Sequence, residues 1–191
     1  MIKEKLKSIM FILILGSICT AMLLGIKAYT FPIIAHLKEM NFKATVLASA
    51  GISYREENLA EVFTNNIKEV RNKDFIYYLS PDNFYIFTFY GRGLHGIIEG
   101  LVTLNFDFET IEAIRIISHH ETPGLGSRIT EVSFLSQFKK KKASPKLLLA
   151  LRRKADEINE IDGISGATIT SGALIKMINE SVENFRKIVK G

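Results

Sequence analysis

The segment FYIFTFYGRGLHGIIEGLVTLNFDFETIEAIRII, residues 84–117, decides the fold class. Aromatic and β-branched side chains dominate Phe84 to Tyr90, Ile97 to Phe106 and Thr110 to Ile117, and such residues suit a pleated, half-buried surface. A glycine-rich stretch separates the first two runs, and a turn containing Asp107 separates the second from the third. We therefore predict strands joined by short turns in a small, mostly antiparallel sheet.

The glycine-rich stretch, Gly91-Arg92-Gly93-Leu94-His95-Gly96, matches the G-x-G-x-x-G pattern of dinucleotide-binding proteins. Glu112 also lies about 20 residues further on, as that pattern asks. The pattern requires a helix directly after the glycines, whereas residues 97–104 have the composition of a strand. The glycines are therefore predicted to form a turn between two strands and not a dinucleotide site.

Helical periodicity flanks these strands. Apolar residues recur at helical spacing in His36 to Ala50, before a stop signal at Gly51, and in Asn58 to Val70. Leu147 to Ile161 is also predicted to be helical, and Thr168 to Val189 closes the chain as an amphipathic helix. The class is therefore α+β, with helices around a small, mostly antiparallel sheet.

The N-terminal segment is predicted to span a membrane. No charged residue occurs from Ser8 to Ile26, and that run as a helix is about 28 Å long, close to the hydrocarbon core of about 30 Å. Phe31-Pro32 is expected to end or kink the helix. The predicted division is a cytoplasmic tip with an anchor at residues 1–31 and one extracytoplasmic domain at residues 32–191.

The orientation follows from the charges beside the apolar run. Lys3, Lys5 and Lys7 precede the run and only Lys27 follows it closely, so the positive-inside rule predicts a cytoplasmic N-terminus. A cleaved signal peptide is the alternative, but the run is long for one, and the bulky Ile18 before Cys19 does not suit a lipoprotein signal. We therefore favour an uncleaved, single-pass anchor.

The composition is that of a globular domain and argues against several functions. Of the 191 residues, 47% are hydrophobic and 24% are charged, unlike a disordered chain. The basic excess, with a net charge of +5, is concentrated at the N-terminus and in Lys139 to Lys142 without interleaved aromatic residues, so nucleic-acid binding is not predicted. Cys19 is the single cysteine, and His119-His120-Glu121 would point to opposite faces of an extended chain, so no metal site is predicted. Any redox chemistry must therefore come from a bound cofactor.

Two segments combine small and polar residues. Glu121-Thr122-Pro123-Gly124-Leu125-Gly126 would allow a close approach of backbone to a ligand, and a tight surface turn accounts for it equally well. Asp162-Gly163-Ile164-Ser165-Gly166-Ala167-Thr168 precedes the last helix, where free backbone N–H groups favour a phosphate. An ordinary capping segment, with Ser165 or Asp162 as the cap, is the alternative.

Together, and in this order behind an anchor, the two motifs resemble the FMN-binding domain family. Its best-known members are the C subunit of the sodium-pumping NADH:quinone reductase and the G subunit of the Rnf complex. The resemblance extends over nearly the whole chain and includes Val46 to Gly51 and the Gly91-Arg92-Gly93-Leu94 turn. It implies one transmembrane helix followed by a single FMN-binding domain.

The family's site residues can be carried over by position. In the family a flavin transferase attaches FMN through a phosphoester to the threonine of the Ser-Gly-Ala-Thr motif, which fits the weak nucleophilicity of an unaided hydroxyl. The resemblance implies that Thr168 is the acceptor, that Ser165, Gly166 and Ala167 form its motif, and that Asp162 opens it. Thr170 lies outside the motif. The residues expected to line the flavin pocket are Glu121, Thr122, Gly124, Leu125 and His95.

This chain departs from the pattern of the pump's C subunit, which has Gly-Leu-Trp where Gly93-Leu94-His95 stands here. The chain has no tryptophan, so either His95 takes the ring-stacking position or the pocket is looser. Phe134 and Phe138 stand where the family often carries aromatic residues. The length is closer to the Rnf protein, and the glycine turn is closer to the pump.

The resemblance implies a function in electron transport. The chain would be a subunit of an ion-translocating NADH:quinone or ferredoxin:NAD oxidoreductase complex in the cytoplasmic membrane, with covalent FMN and no catalytic side chain or metal of its own. Its partners would be other membrane subunits, the flavin transferase and membrane lipid. A flavin-free structural subunit and a stand-alone extracytoplasmic flavoprotein reductase are the alternatives.

Overall fold

The computed structural model describes residues 2–72, 75–151 and 153–190. Met1 of the predicted anchor and Arg152 of the predicted helix at 147–161 lie outside the described residues. The chain divides into two compact units, Met1–Asn41 and Phe42–Gly191. The helices are α1 (Ile2–Ser49), α2 (Leu59–Asn66), α3 (Val132–Leu135) and α4 (Thr168–Lys190). The strands are β1 (Lys68–Asn72), β2 (Phe75–Leu79), β3 (Tyr85–Arg92), β4 (Ile97–Leu104), β5 (Ile111–His119), β6 (Leu148–Ala150) and β7 (Glu160–Asp162).

Helix α1 continues past the proline at which it was expected to end. Pro32 lies inside the helix, so the prediction of an end at Phe31-Pro32 is wrong. A proline removes one backbone donor and disfavours a helix interior, but it does not end this helix. The part from Lys5 to Ser49 contains a window that is long and apolar enough to cross a membrane, and none of that window is buried.

Strands β1 to β5 form one antiparallel sheet in the order of the sequence. The three predicted strands are confirmed as β3, β4 and β5. The glycine turn joins β3 to β4, whose register runs from Tyr85 opposite Leu104 to Arg92 opposite Ile97. The mixed helical and antiparallel class predicted from the sequence is confirmed.

The sheet is covered on both faces. Cross-strand neighbours point to the same face, so the paired residues Tyr78 and Ile86 lie together, and Phe42 in the last turns of α1 contacts the Tyr78 ring at 5.5 Å between centroids. On the opposite face Phe87 stacks on Phe185 of α4 at 4.4 Å. The sheet is therefore a middle layer, and both its faces contribute buried apolar side chains.

The second helix is shorter than the sequence indicates. It ends at Asn66, and the chain enters β1 at Lys68, so the predicted helix at Asn58 to Val70 extends too far. The side-chain amide of Asn66 donates to the carbonyl of Val62, which helps to end the helix. The turn indicated by Ser80-Pro81-Asp82-Asn83 is confirmed, with the Asn83 N–H donating to the Ser80 carbonyl at 3.0 Å.

The predicted helix at Leu147 to Ile161 is wrong. Two short parallel strands, β6 and β7, stand there instead, with Leu148 opposite Glu160 and Ala150 opposite Asp162. Tertiary hydrogen bonds replace helical ones, because the side chain of Asn179 in α4 accepts from the Leu147 N–H and donates to the Leu147 carbonyl. Contacts with α4 therefore override the local helical pattern.

The segment between β5 and β6 packs against the sheet at β5. It contains 3-10 turns at Gly126–Thr130 and Ser136–Phe138 on either side of α3. Phe134 and Phe138, which match aromatic positions of the family, are both buried and contact each other edge-on at 5.5 Å. They therefore belong to the hydrophobic core.

The lysine run is engaged with the protein itself. The Lys139 ammonium lies 2.8 Å from the Glu112 carboxylate, Lys142 lies 3.0 Å from Asp107, and Lys141 donates to the Glu157 carbonyl at 2.8 Å. These contacts give the run a structural use and partly neutralise its charge.

The last helix is confirmed as α4, and replacing its glycine is predicted to stabilise the protein. Gly172→Ala is expected to raise the free energy of unfolding by about 0.5–1 kcal/mol, because alanine favours a helix interior over glycine by about that amount. A β-carbon at Gly172 would meet Cδ2 of Leu149 at 3.8 Å, an ordinary contact. Thermal unfolding followed by circular dichroism measures the change. Gly163→Ala, outside the helix, is the control, and an unchanged melting temperature for Gly172→Ala would contradict the prediction.

Candidate functional site

Three segments meet at one end of the sheet: the β3–β4 turn, the segment Glu121–Gly126 after β5, and the segment Asp162–Thr168 that enters α4. The turn is closed by the Gly93 N–H, which donates to the Gly96 carbonyl at 2.8 Å. Ile98 of β4 lies opposite His119 of β5, so the chain leaving β5 passes beside the turn. The structure therefore brings together the two motifs that are about 40 residues apart in the sequence.

The carboxylate of Glu121 joins these segments. Its side chain is completely buried, with 0% of its surface exposed. Oε1 accepts a hydrogen bond from the His95 N–H at 3.0 Å, and Oε2 accepts one from the Thr170 hydroxyl at 2.7 Å. The first bond ties Glu121 to the β3–β4 turn, and the second ties it to the first turn of α4.

These contacts keep Glu121 ionised. Burial by itself would raise the pKa of this carboxyl. Hydrogen bonds from the His95 N–H, the Thr170 hydroxyl and the Gly96 backbone outweigh burial, and the pKa lies below its ordinary value. A buried carboxylate is tolerated where such donors replace water, so the site holds a fixed negative charge at neutral pH.

Two glycines leave the space that this carboxylate fills. A β-carbon at Gly93 would lie 2.4 Å from Oε1 of Glu121, and one at Gly126 would lie 2.7 Å from Oε2 and 3.0 Å from the Thr170 hydroxyl. These distances are below van der Waals contact, so any larger residue would have to displace the carboxylate. Gly93 of the β3–β4 turn and Gly126 of the Glu121–Gly126 segment are therefore required for the same physical reason.

His95 lies at the rim of the same cluster. Its Nδ1 is 3.2 Å from the Thr122 hydroxyl and 3.7 Å from Oε2 of Glu121, and about half of its side chain is exposed. His119, at the end of β5, also contacts Glu121: its Nδ1 accepts a hydrogen bond from the Glu121 N–H at 3.2 Å. Among the described residues, no group of three or more histidine, cysteine, aspartate or glutamate side chains is arranged to hold a metal ion.

The Ser-Gly-Ala-Thr motif is exposed except for its alanine. Ser165, Gly166 and Thr168 lie at the surface, and Thr168 is the first residue of α4. Ala167 is 5% exposed and packs into the core cluster. Leu125 covers the motif from the side, because a β-carbon at Gly166 would lie 3.3 Å from its Cδ2.

Asp162 does not cap α4. Its carboxylate accepts from the N–H of Ala155, and its own N–H donates to the Gln137 side chain at 2.8 Å. Neither its side chain nor that of Ser165 makes a capping hydrogen bond within the part of the chain that is described. Asp162 therefore holds the preceding loop beside the motif.

Thr170 is the residue of this site that sequence patterns do not single out. It lies two residues beyond the motif, is 1% exposed and bonds to Glu121, 49 positions earlier in the chain. The sequence shows that residue 170 carries a hydroxyl group, but it does not show that Glu121 accepts a hydrogen bond from it. Only the tertiary contact marks it as part of the site.

Comparison with known proteins agrees with the resemblance found in the sequence. The profile described as the FMN-binding domain matches residues 93–183. The G subunit of the proton-translocating ferredoxin:NAD(+) oxidoreductase complex of Clostridium ljungdahlii is 41% identical over 100 residues, and the match covers 52% of each chain. The G subunit of the ion-translocating oxidoreductase complex of Methanosarcina acetivorans is 28% identical, over 95% of this chain and 94% of that one.

The fold has a relative of known structure. The crystal structure of the C subunit of the Na(+)-translocating NADH-quinone reductase of Parabacteroides distasonis superimposes with a TM-score of 0.70 and 23% identity, covering 83% of this chain and 96% of that one. This likeness concerns the fold alone. The match to the FMN-binding domain profile over residues 93–183 contains the β3–β4 turn, the Glu121–Gly126 segment and the Ser-Gly-Ala-Thr motif, so the part of the chain that carries the candidate site is similar to that family.

Proposed function

We propose that this chain is a membrane-anchored electron-transfer subunit that carries FMN covalently on Thr168 within an ion-translocating oxidoreductase complex. The family match supports FMN, and the names of the relatives support a subunit of such a complex. The observation that carries the attachment site is the exposure of Thr168 at the start of α4, beside Leu125 of the Glu121–Gly126 segment.

The hydroxyls near the start of α4 differ in their accessibility. Thr170 and Ser171 are buried and hydrogen-bonded, Thr170 to Glu121 and Ser171 to the Ala167 carbonyl. Ser165 and Thr168 are exposed. A transferase can therefore reach Thr168 but not the neighbouring Thr170, which supports Thr168 as the acceptor and leaves Ser165 as the matched control.

The surroundings of Thr168 suit a flavin. Leu125 beside the motif and Ile169 next to Thr168 expose 49% and 64% of their surfaces, and exposed large apolar side chains near a reactive group provide area for an aromatic ring. The flavin supplies the redox chemistry when it is bound. The residues of this chain supply the attachment point, the apolar contact and the fixed charge of Glu121.

Attachment requires a separate transferase and a flavin dinucleotide as the FMN donor. The Oγ of Thr168 would form a bond to the FMN phosphorus while the bond from that phosphorus to the nucleotide leaving group breaks. The hydroxyl proton would pass to a base of the transferase, since no basic side chain among the described residues bonds to the Thr168 hydroxyl.

The proposed location rests on α1. Its apolar part is long enough to cross a membrane, and by the positive-inside rule the lysines before it favour a cytoplasmic N-terminus. The FMN-bearing domain would then face the extracytoplasmic side, where a covalent linkage prevents loss of the cofactor. Its partners would be the other membrane subunits of the complex and the flavin transferase.

Thr168→Ala is expected to abolish covalent FMN while leaving the fold unchanged, because an exposed hydroxyl contributes little to stability. The full chain is co-expressed with a flavin transferase, denatured and run on a gel, and flavin fluorescence and intact mass are measured. Ser165→Ala should remain fluorescent. Covalent flavin on Thr168→Ala, or a dark wild-type band beside a transferase that modifies a control protein, would refute the proposal.

A further inference from the structure

We propose that Glu121 and Thr170 are positioning residues for the attachment reaction: their hydrogen bond fixes the rotation of the first turn of α4 and thereby turns the Thr168 hydroxyl outward. This inference rests on the proposed function, because it takes Thr168 as the acceptor. It assigns a role to Thr170, which lies outside the Ser-Gly-Ala-Thr motif, and it changes the expected role of Glu121.

Glu121 is not placed to contact a flavin directly. Its side chain has no exposed surface, and each of its two oxygens already accepts a hydrogen bond from the protein. A group in this position makes no direct contact with a ligand, so its hydrogen bonds act on a ligand through the residues that it holds. Those residues are the His95 backbone in the β3–β4 turn and the Thr170 side chain in α4.

The geometry of a helix explains how Thr170 controls Thr168. Successive residues of an α-helix are rotated by about 100°, so residues two apart point in nearly opposite directions. Thr170 points inward, with 1% exposure, and its hydroxyl donates to Glu121 at 2.7 Å. Thr168 must then face the solvent, as it does.

Glu121 is held through both of its carboxylate oxygens, Oε1 by the His95 N–H and Oε2 by the Thr170 hydroxyl. The carboxylate lies directly against Gly93 and Gly126, where β-carbons would come within 2.4 Å and 2.7 Å of its oxygens. Hydrogen bonds to an ionised acceptor are stronger than those between neutral groups, and the one to Thr170 is short. The first turn of a helix is otherwise free to fray, because its N–H groups have no intrahelical partners.

The inference is tested with Thr170→Val, which keeps the shape of the side chain but removes the hydroxyl. We expect the initial rate of FMN attachment to the full chain to fall about tenfold or more, because a displacement of about 1 Å in a reacting group can cost about 100-fold. Thr170→Ser restores the hydroxyl and should return the rate to within about twofold of wild type. Thr64→Val is the matched control, since Thr64 is an exposed helical threonine far from the site that bonds to its own helix at Ala60.

Hydrogen exchange gives a second measurement that does not depend on the flavin. The Ser171 N–H donates to the Ala167 carbonyl at 2.9 Å and so reports on the first turn of α4. Its exchange should accelerate in Thr170→Val before any flavin is attached, while amides in the later turns of α4 keep their wild-type rates. Acceleration along the whole helix would show a general loss of stability and would contradict a positioning role.

The outcomes separate this inference from the proposed function. Wild-type attachment and wild-type Ser171 exchange in Thr170→Val would overturn the positioning role and leave Thr168 as the acceptor. If the wild type is not modified, the proposed function fails and a role in attachment fails with it, and the Ser171 exchange rate then shows only whether the hydrogen bond holds the first turn of α4. If Thr170→Val does not fold, Glu121→Gln is judged by the same two measurements, with the exposed Glu131→Gln as its control.

Discussion

Phe185→Ala is expected to lower the free energy of unfolding by about 3–5 kcal/mol, the range for truncating a buried phenylalanine. Phe185 has no exposed surface and stands at the centre of the aromatic layer between α4 and the sheet. Its ring lies 4.4 Å from that of Phe87, 5.3 Å from Tyr85 and 5.5 Å from Tyr77, centroid to centroid. Truncation would leave a cavity that these rings, on two strands, cannot all close. Denaturant unfolding of the full chain, followed by circular dichroism, measures the loss.

Phe106→Ala provides the control within the same aromatic layer. Phe106 is 63% exposed and contacts Tyr85 and Phe108 at the outer edge, with centroids 6.5 Å and 6.2 Å away. Its truncation should cost less than about 1 kcal/mol, because little apolar surface is lost from the interior. Equal losses for the two variants would show that Phe185 is not the centre of this core.

Gly93→Ala should lower the free energy of unfolding by about 3 kcal/mol and also reduce FMN attachment. The new methyl group would lie 2.4 Å from Oε1 of Glu121 and 2.7 Å from Cδ1 of Ile98, so the carboxylate has to move. Overpacking typically costs about 1–3 kcal/mol, and loss of a hydrogen bond to a buried charge adds about 1–3 kcal/mol. Denaturant unfolding and denaturing-gel fluorescence measure the two effects.

The contrast with Gly172→Ala makes this prediction specific. Both variants add one methyl group, but the one at Gly172 meets its nearest neighbour at 3.8 Å, whereas the one at Gly93 meets a fixed carboxylate. One variant should gain stability and the other should lose it. Equal stability for Gly93→Ala and wild type would mean that the Glu121 carboxylate can move freely, which would also weaken the positioning role.

The sequence correctly predicted the strands and the helix whose formation depends on the pattern of neighbouring residues. The strands β3 to β5 follow from aromatic and β-branched runs, and α4 follows from its apolar stripe, because these periodicities match the geometry of a strand and of a helix. The glycine turn was also predictable, since the residues after it have strand composition and exclude a helix. In each case the deciding information lies within about ten residues.

Predictions from the sequence were wrong where contacts between distant residues determine the secondary structure. Leu147 to Ile161 has helical spacing, yet Asn179 takes both backbone groups of Leu147, and a buried Glu160 binds Arg153 and the N–H groups of Asp156 and Glu157. The first part of β1, residues 68–70, was predicted as helix because its residues alone do not show that β2 will pair with them. Such partners are set by the fold and not by the local composition.

The sequence by itself determined the resemblance to the FMN-binding domain family, the apolar N-terminal segment, the antiparallel strands and the motif that contains Thr168, because each depends on residues that are contiguous in the chain. Tertiary structure alone decided which hydroxyls are exposed and what Glu121 binds. A carboxylate and a hydroxyl 49 positions apart meet only after β5 and α4 have packed together, and two glycines from different segments leave the space for them. Hydrogen bonds of this kind depend on distances of a few ångströms between separate elements, and no periodicity along the chain encodes those distances.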